Sequence, residues 1–103
     1  MKNNQYRAKG KAVKEIPLPD LQEPFSAVQL GLTIKHQRTK LNLRIIDVAE
    51  KCGLSKDTVN KIEKGELNVR LHNVMKVINL LGITLSLQTD SSNVSKESDD
   101  EWF

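Results

Sequence analysis

The sequence predicts a mainly α protein, one compact domain of four to five short helices followed by one short C-terminal strand. Three observations predict it. Apolar residues recur at helical spacing in four successive blocks between Phe25 and Leu81. Gly53, Gly65 and Gly82 close three of those blocks, where a left-handed residue commonly ends a helix. Residues 83–88, Ile-Thr-Leu-Ser-Leu-Gln, then alternate apolar and polar, which is the period of a strand. A chain of 103 residues holds one such domain with tails. Its core is thin, which favours association with a second copy.

The elements follow in order. Residues 1–23 read as a flexible basic arm, because Pro17, Pro19 and Pro24 oppose helix; Ala12, Val13 and Ile16 allow a short strand at most. From Phe25 to Leu41, Ala27, Leu30, Ile34 and Leu41 form an inward stripe, with Lys35, His36 and Lys40 off it. Residues 44–52 repeat the pattern through Ile45, Val48, Ala49 and Cys52. Ser55 is the expected N-cap of a third helix whose inward residues are Val59 and Ile62. Gly65 ends that helix, with Lys61 and Lys64 in its last turn, where cations suit the helix dipole. Residues 71–81 carry Leu71, Val74, Met75, Val77, Ile78, Leu80 and Leu81, more apolar surface than one face needs. The folded domain is therefore expected over residues 24–88. Residues 89–103 read as a disordered acidic tail ending in Trp102-Phe103.

Charge is unevenly placed. The net charge is +3, but residues 1–89 hold 15 basic and 8 acidic groups, or +7. Such a body suits a polyanionic partner, or is simply a solvated basic surface. One cysteine excludes an intrachain disulfide and favours a reducing cytoplasm. Residues 1–24 contain no apolar run of a signal peptide, and no stretch is long enough to span a membrane. His36 and His72 are isolated and expected at the surface, and Cys52 is expected in the core. No metal site, cofactor motif or catalytic constellation is visible, so no enzyme activity is expected.

The stretch VAEKCGLSKDTVNKIEKG, residues 48–65, explains the glycine between two helical patterns. Two short helices joined by a tight glycine turn make a helix-turn-helix. Ala49 is small because the second helix crosses closely over the first, and Gly53 takes a conformation costly for other residues. Val48, Cys52, Leu54, Val59 and Ile62 pack the angle between them. Such a unit presents the N-terminal part of its second helix to base edges. The outward residues are Lys56, Asp57, Asn60 and Lys61. Lys donates to guanine, Asn pairs with adenine, and Asp accepts from cytosine. Asp57 is equally an ordinary acid in a first helical turn. Ser55 and Thr58 suit phosphate contact or capping, and Lys40, Arg44, Lys64 and Arg70 suit backbone phosphates.

Residues 30–83 resemble the Cro/C1-type (XRE) helix-turn-helix family. The resemblance implies an ion pair between Arg38 in the first helix and Glu63 at the end of the recognition helix. It continues in Glu63-Lys64-Gly65, where the family often reads Glu-x-Gly. One departure is that Arg44-Ile45 stands where the family has Thr or Ser followed by Gln. A hydroxyl cap and a Gln–phosphate contact are thereby lost, and Arg44 is the substitute for the latter.

A lone strand leaves its edge groups unpaired. Pairing residues 83–88 with a twofold mate would place Ile83, Leu85 and Leu87, with Val77 and Leu81, in a dimer interface; the intrachain alternative is pairing with residues 12–16. A twofold dimer matches a palindromic site on double-stranded DNA. A helix-turn-helix followed directly by a dimerising strand and a short tail resembles the HipB-like antitoxins. That resemblance implies a cytoplasmic, nucleoid-associated repressor of its own operon that binds a HipA-type toxin kinase, with Trp102 and Phe103 as partner-binding or degradation elements. The alternatives are a stand-alone or phage-type repressor, and a protein-interaction adaptor without DNA binding.

Overall fold

The computed structural model describes residues 12–90. Within them are four helices: α1, Ala27–Lys40; α2, Ile45–Cys52; α3, Lys56–Glu63; and α4, Leu71–Leu81. The expected acidic tail with Trp102 and Phe103, and the first half of the basic arm, lie outside the described residues.

Local chemistry sets most helix ends. Ser26 caps α1 by accepting from the Gln29 N–H at 3.0 Å, so the helix begins after Phe25, which is left exposed. Asn42 follows α1 at φ 60°, the left-handed region that Asn tolerates better than most residues. The chain has therefore already turned away at Leu41, which is half exposed rather than part of the inward stripe. Ser55 caps α3 by accepting from Thr58 N–H at 3.0 Å. Gly53 and Gly82 end α2 and α4 at φ 69° and 74°.

The helices surround one core of Ile34, Val48, Ala49, Val59, Ile62, Val74, Val77, Ile78 and Leu81. α1 packs on α3 and α4, and α2 packs on both as well. Leu30, Cys52, Leu54 and Ile83 close its margins. Burial raises the pKa of the Cys52 thiol, as expected for a packed rather than a reactive cysteine.

Four expectations are corrected. Val77 and Leu81 are 0% and 2% exposed within a single chain, so they are core and not dimer interface. The exposed apolar residues of α4 are instead Leu71, Met75 and Leu80. The expected strand at 83–88 is not formed among the described residues, since a ladder needs a partner and none is present there. The intrachain alternative is overturned because residues 12–16 bond to α1 and its following turn: Val13 N–H donates to Asn42 Oδ1 and Ile16 N–H to Thr39 Oγ1. His36 is likewise no free surface group, since its Nδ1–H donates to Ile16 C=O at 2.7 Å.

Candidate nucleic-acid interface

The two helices α2 and α3 are separated only by Gly53, Leu54 and Ser55. Val59, Ile62 and Glu63 bury one side of α3. In 100° steps around the helix, Asp57, Lys61 and Lys64 fall on the opposite side and Asn60 on its flank, while Lys56, seven residues before Glu63, is exposed at the N-terminal end of α3. Lys56, Asp57 and Lys64 are exposed, and Asn60 and Lys61 are half-buried at their bases. Asp57 and Lys61 pair across one turn at 3.3 Å, so each partly neutralises the other in the free protein. Thr58 is held by its cap, its hydroxyl 2.9 Å from that of Ser55.

The position of α3 is set by a buried ion pair. Arg38 Nε donates to Glu63 Oε2 at 2.5 Å and Nη2 to Oε1 at 2.9 Å, a bidentate fork. Arg38 Nη1 also donates to the Leu43 carbonyl at 2.8 Å. One side chain of α1 thus holds both the C-terminal end of α3 and the turn that leads into α2. Arg38 is 5% and Glu63 7% exposed, and no buried side-chain polar atom among the described residues lacks a partner.

Arg44 stands at the N-cap of α2. It has no hydroxyl to offer, but Asp47 accepts from the Arg44 backbone N–H at 2.7 Å and from its guanidinium at 2.9 and 3.1 Å. Asp47 thereby does from within the first turn what the missing hydroxyl would do at the cap. These bonds from Arg44 hold the Asp47 carboxyl below the usual carboxylate range. Their contribution is present above that range and is lost as the pH falls through the depressed value. Arg44 keeps 60% of its side chain exposed for a further contact. Lys40 flanks the same turn from the end of α1, Lys64 caps α3, and Arg70 caps α4; all three are exposed.

Two residues that matter here are not evident from periodicity. Asp47, at the third position of α2, is legible as an acid of a capping box. Gly31 lies mid-helix in α1, where a Cβ would stand 2.4 Å from the Glu63 carbonyl oxygen. α1 and the end of α3 touch backbone to backbone at this point, beside the Arg38–Glu63 pair. No cluster of groups that could hold a metal occurs among the described residues, and no helix there is long and apolar enough to cross a membrane.

A comparison with the curated proteins returns no match. Among solved structures, a complex of a HipB variant with an O2 20mer is similar at a TM-score of 0.60 and 22% identity, covering 69% of this chain and 99% of that one. "HipB-O4 20mer complex" and "Structure of HipA-HipB-O2-O3 complex" are similar at 0.60 and 23%, covering 68% and 99%. At such identity the likeness shows a shared fold. The family model described as Helix-turn-helix matches residues 34–88, over half of the chain. This chain belongs to the helix-turn-helix family, in its Cro/C1 (XRE) branch.

Proposed function

We propose that this chain is a sequence-specific DNA-binding repressor, and that it serves as the antitoxin of a HipA-type kinase toxin–antitoxin operon. The observation that carries the DNA-binding half is the outward side of α3. Lys56 and Asn60 stand free on a helix whose depth and angle are set by Arg38–Glu63. Asp57 and Lys61 supply further base-edge contacts once their mutual pair opens. Arg44, Ser55, Thr58, Lys40, Lys64 and Arg70 ring this face and fix register on the phosphates. Lys56→Ala and Asn60→Ala are each expected to cost about 1–3 kcal/mol on the operator and little on scrambled DNA. Arg44→Ala should weaken both duplexes alike and flatten the salt dependence. Titrations of both duplexes at several salt concentrations check this. Equal losses on operator and scrambled DNA for Lys56→Ala and Asn60→Ala would remove base reading from α3.

A palindromic operator calls for a twofold dimer, and residues 83–88 supply the joint. Ile83 is tucked against the core, whereas Leu85 and Leu87 are 43% and 97% exposed. Leu85 also lines a groove of about 280 Å³ with Leu21, Phe25 and Leu30. A second copy's strand would pair the open edge and cover these residues. Leu85→Pro is expected to shift the protein toward monomer in sedimentation and to weaken operator binding. An intact Leu85→Pro dimer would move the interface to the exposed side of α4.

The antitoxin half is supported by the shared fold with HipB, which the solved structures hold in complexes with 20mers and with HipA. Trp102 and Phe103 are the apolar anchors offered to the toxin. Co-expression with the kinase of its own operon tests this: the pair should copurify, and deletion of residues 99–103 should weaken the pairing without changing operator binding. A repressor that purifies alone from that operon would be a stand-alone one.

A further inference from the structure

A pair of opposite charges occupies the middle of the outward side of α3. Asp57 and Lys61 both lie opposite the buried Val59 and Ile62, and Lys61 Nζ stands 3.3 Å from Asp57 Oδ2. Asp57 keeps 74% of its side chain exposed and Lys61 40%, so the pair is open to whatever approaches this side. Asp57 is the one acid among the residues assigned to the DNA face, which otherwise offers cations, hydroxyls and Asn60.

An acid in a first helical turn suits the dipole, but helix stability alone would place it elsewhere. Ser55 already caps α3, and the position that completes a capping box is that of Thr58. The first helical position holds a cation, Lys56, against the dipole. The carboxylate stands instead at the first-turn position that faces outward, where an approaching phosphate backbone repels it. Such a like-charge approach lowers affinity for every duplex that leaves the carboxylate unpaired. The base-edge group that suits it in the major groove is the N4 amino group of cytosine.

Lys61 shares this constraint. In the free chain its ammonium is drawn to Asp57. On a duplex without cytosine opposite Asp57 it stays there, because drawing it away leaves the carboxylate alone among phosphates. Where cytosine N4 takes over the carboxylate, Lys61 is released to donate to guanine O6 and N7. Four residues span about 6 Å of helix, less than two base-pair steps of about 3.4 Å. The cytosine and the guanine therefore lie within two base pairs of one another.

We propose that Asp57 is a specificity-determining residue of α3, which makes the guanine contact of Lys61 conditional on a cytosine within two base pairs. The proposal rests on the DNA-binding reading above and adds what that reading lacks, a penalty against wrong sequences.

The test substitutes each base pair of the duplex upstream of the gene in turn. Affinities are measured for the unmodified chain and for Asp57→Asn, which keeps the size of the side chain and removes its charge. In the unmodified chain, substituting the cytosine pair should weaken binding by about 5- to 150-fold. Substituting the guanine pair as well should add little, because Lys61 has already returned to Asp57. In Asp57→Asn the cytosine substitution should cost little and the guanine substitution its full share. On scrambled DNA, Asp57→Asn should bind more tightly than the unmodified chain, the opposite of what loss of an ordinary contact gives. The proposal is overturned, with DNA binding left intact, by cytosine and guanine losses that simply multiply in the unmodified chain. It is equally overturned if no such cytosine and guanine occur together, or if Asp57→Asn binds scrambled DNA no more tightly. The base-pair substitutions alter only the DNA, so that arm decides whatever Asp57→Asn does to folding. Failure of the unmodified chain to prefer the upstream duplex over a scrambled one would overturn both readings.

Discussion

Arg38→Met is expected to destabilise the domain by about 3–5 kcal/mol, because it leaves Glu63 charged and unpaired in the interior. Arg38 and Glu63 are both under a tenth exposed, and the fork between them is complete. Little water reaches the carboxylate to replace the guanidinium. The substitution also removes the donor to the Leu43 carbonyl. Glu63→Gln should cost less, since an amide keeps an acceptor for one arm of the fork. Replacing both partners, Arg38→Met with Glu63→Leu, should recover much of the loss, because no charge is then stranded. Urea unfolding of the two single variants and the double measures the coupling. Single losses below about 1 kcal/mol that simply add would mean a pair no stronger than a surface one.

The second large effect is expected at Gly31→Ala. Helix propensity alone would make this change stabilising by about 1 kcal/mol. Packing reverses the sign. The new Cβ would lie 2.4 Å from the Glu63 carbonyl oxygen and 2.8 Å from that of Ile62. Both are backbone atoms at the end of α3, so no side chain can swing aside. α1 must lift away, and the loss should be about 3 kcal/mol or more, at the upper end of overpacking. Gly53→Ala offers the contrast. A Cβ there meets nothing within 4 Å, and only the φ of 69° opposes it, a cost of about 1–2 kcal/mol. Chemical denaturation of both variants should rank Gly31→Ala as the more damaging. The reverse order would mean that α1 and α3 have room to separate. A lifted α1 also drags Arg38 from Glu63, so Gly31→Ala should weaken operator binding where Gly53→Ala spares it.

These two glycines mark where the sequence is legible and where it is not. Gly53, Gly82 and Ser55 announce themselves, because a cap or a left-handed terminus is decided by one or two neighbouring residues. Val48, Ala49, Val59 and Ile62 are legible for a similar reason: each sits in a short helix with one clear apolar side. α4 defeats the same reasoning. It is apolar most of the way round, so periodicity cannot choose between Val77 and Leu81, which the core takes, and Met75 and Leu80, which it leaves exposed. Gly31 is set by the close approach of a residue 32 positions later, and nothing local records that distance. The Asn42, Thr39 and His36 anchor is hidden too, since polar side chains bonding to a distant backbone leave no period. Arg38 and Glu63 are a different case. Their pairing is implied by the family resemblance, and the structure brings the two side chains to 2.5 Å. On the DNA face, Lys56, Asp57, Asn60 and Lys61 are readable as outward residues, but the Asp57–Lys61 pair emerges only once the helix is built.

The most direct measurement is the affinity of the unmodified chain for the DNA upstream of its own gene, set against a scrambled duplex of equal length and composition, across a salt series. A helix-turn-helix dimer reading bases through α3 should prefer its own duplex by at least about a thousandfold. Its affinity for both duplexes should fall steeply with salt, as the Lys and Arg contacts to phosphate require. Equal affinity for the two duplexes, or binding that salt does not weaken, would contradict it.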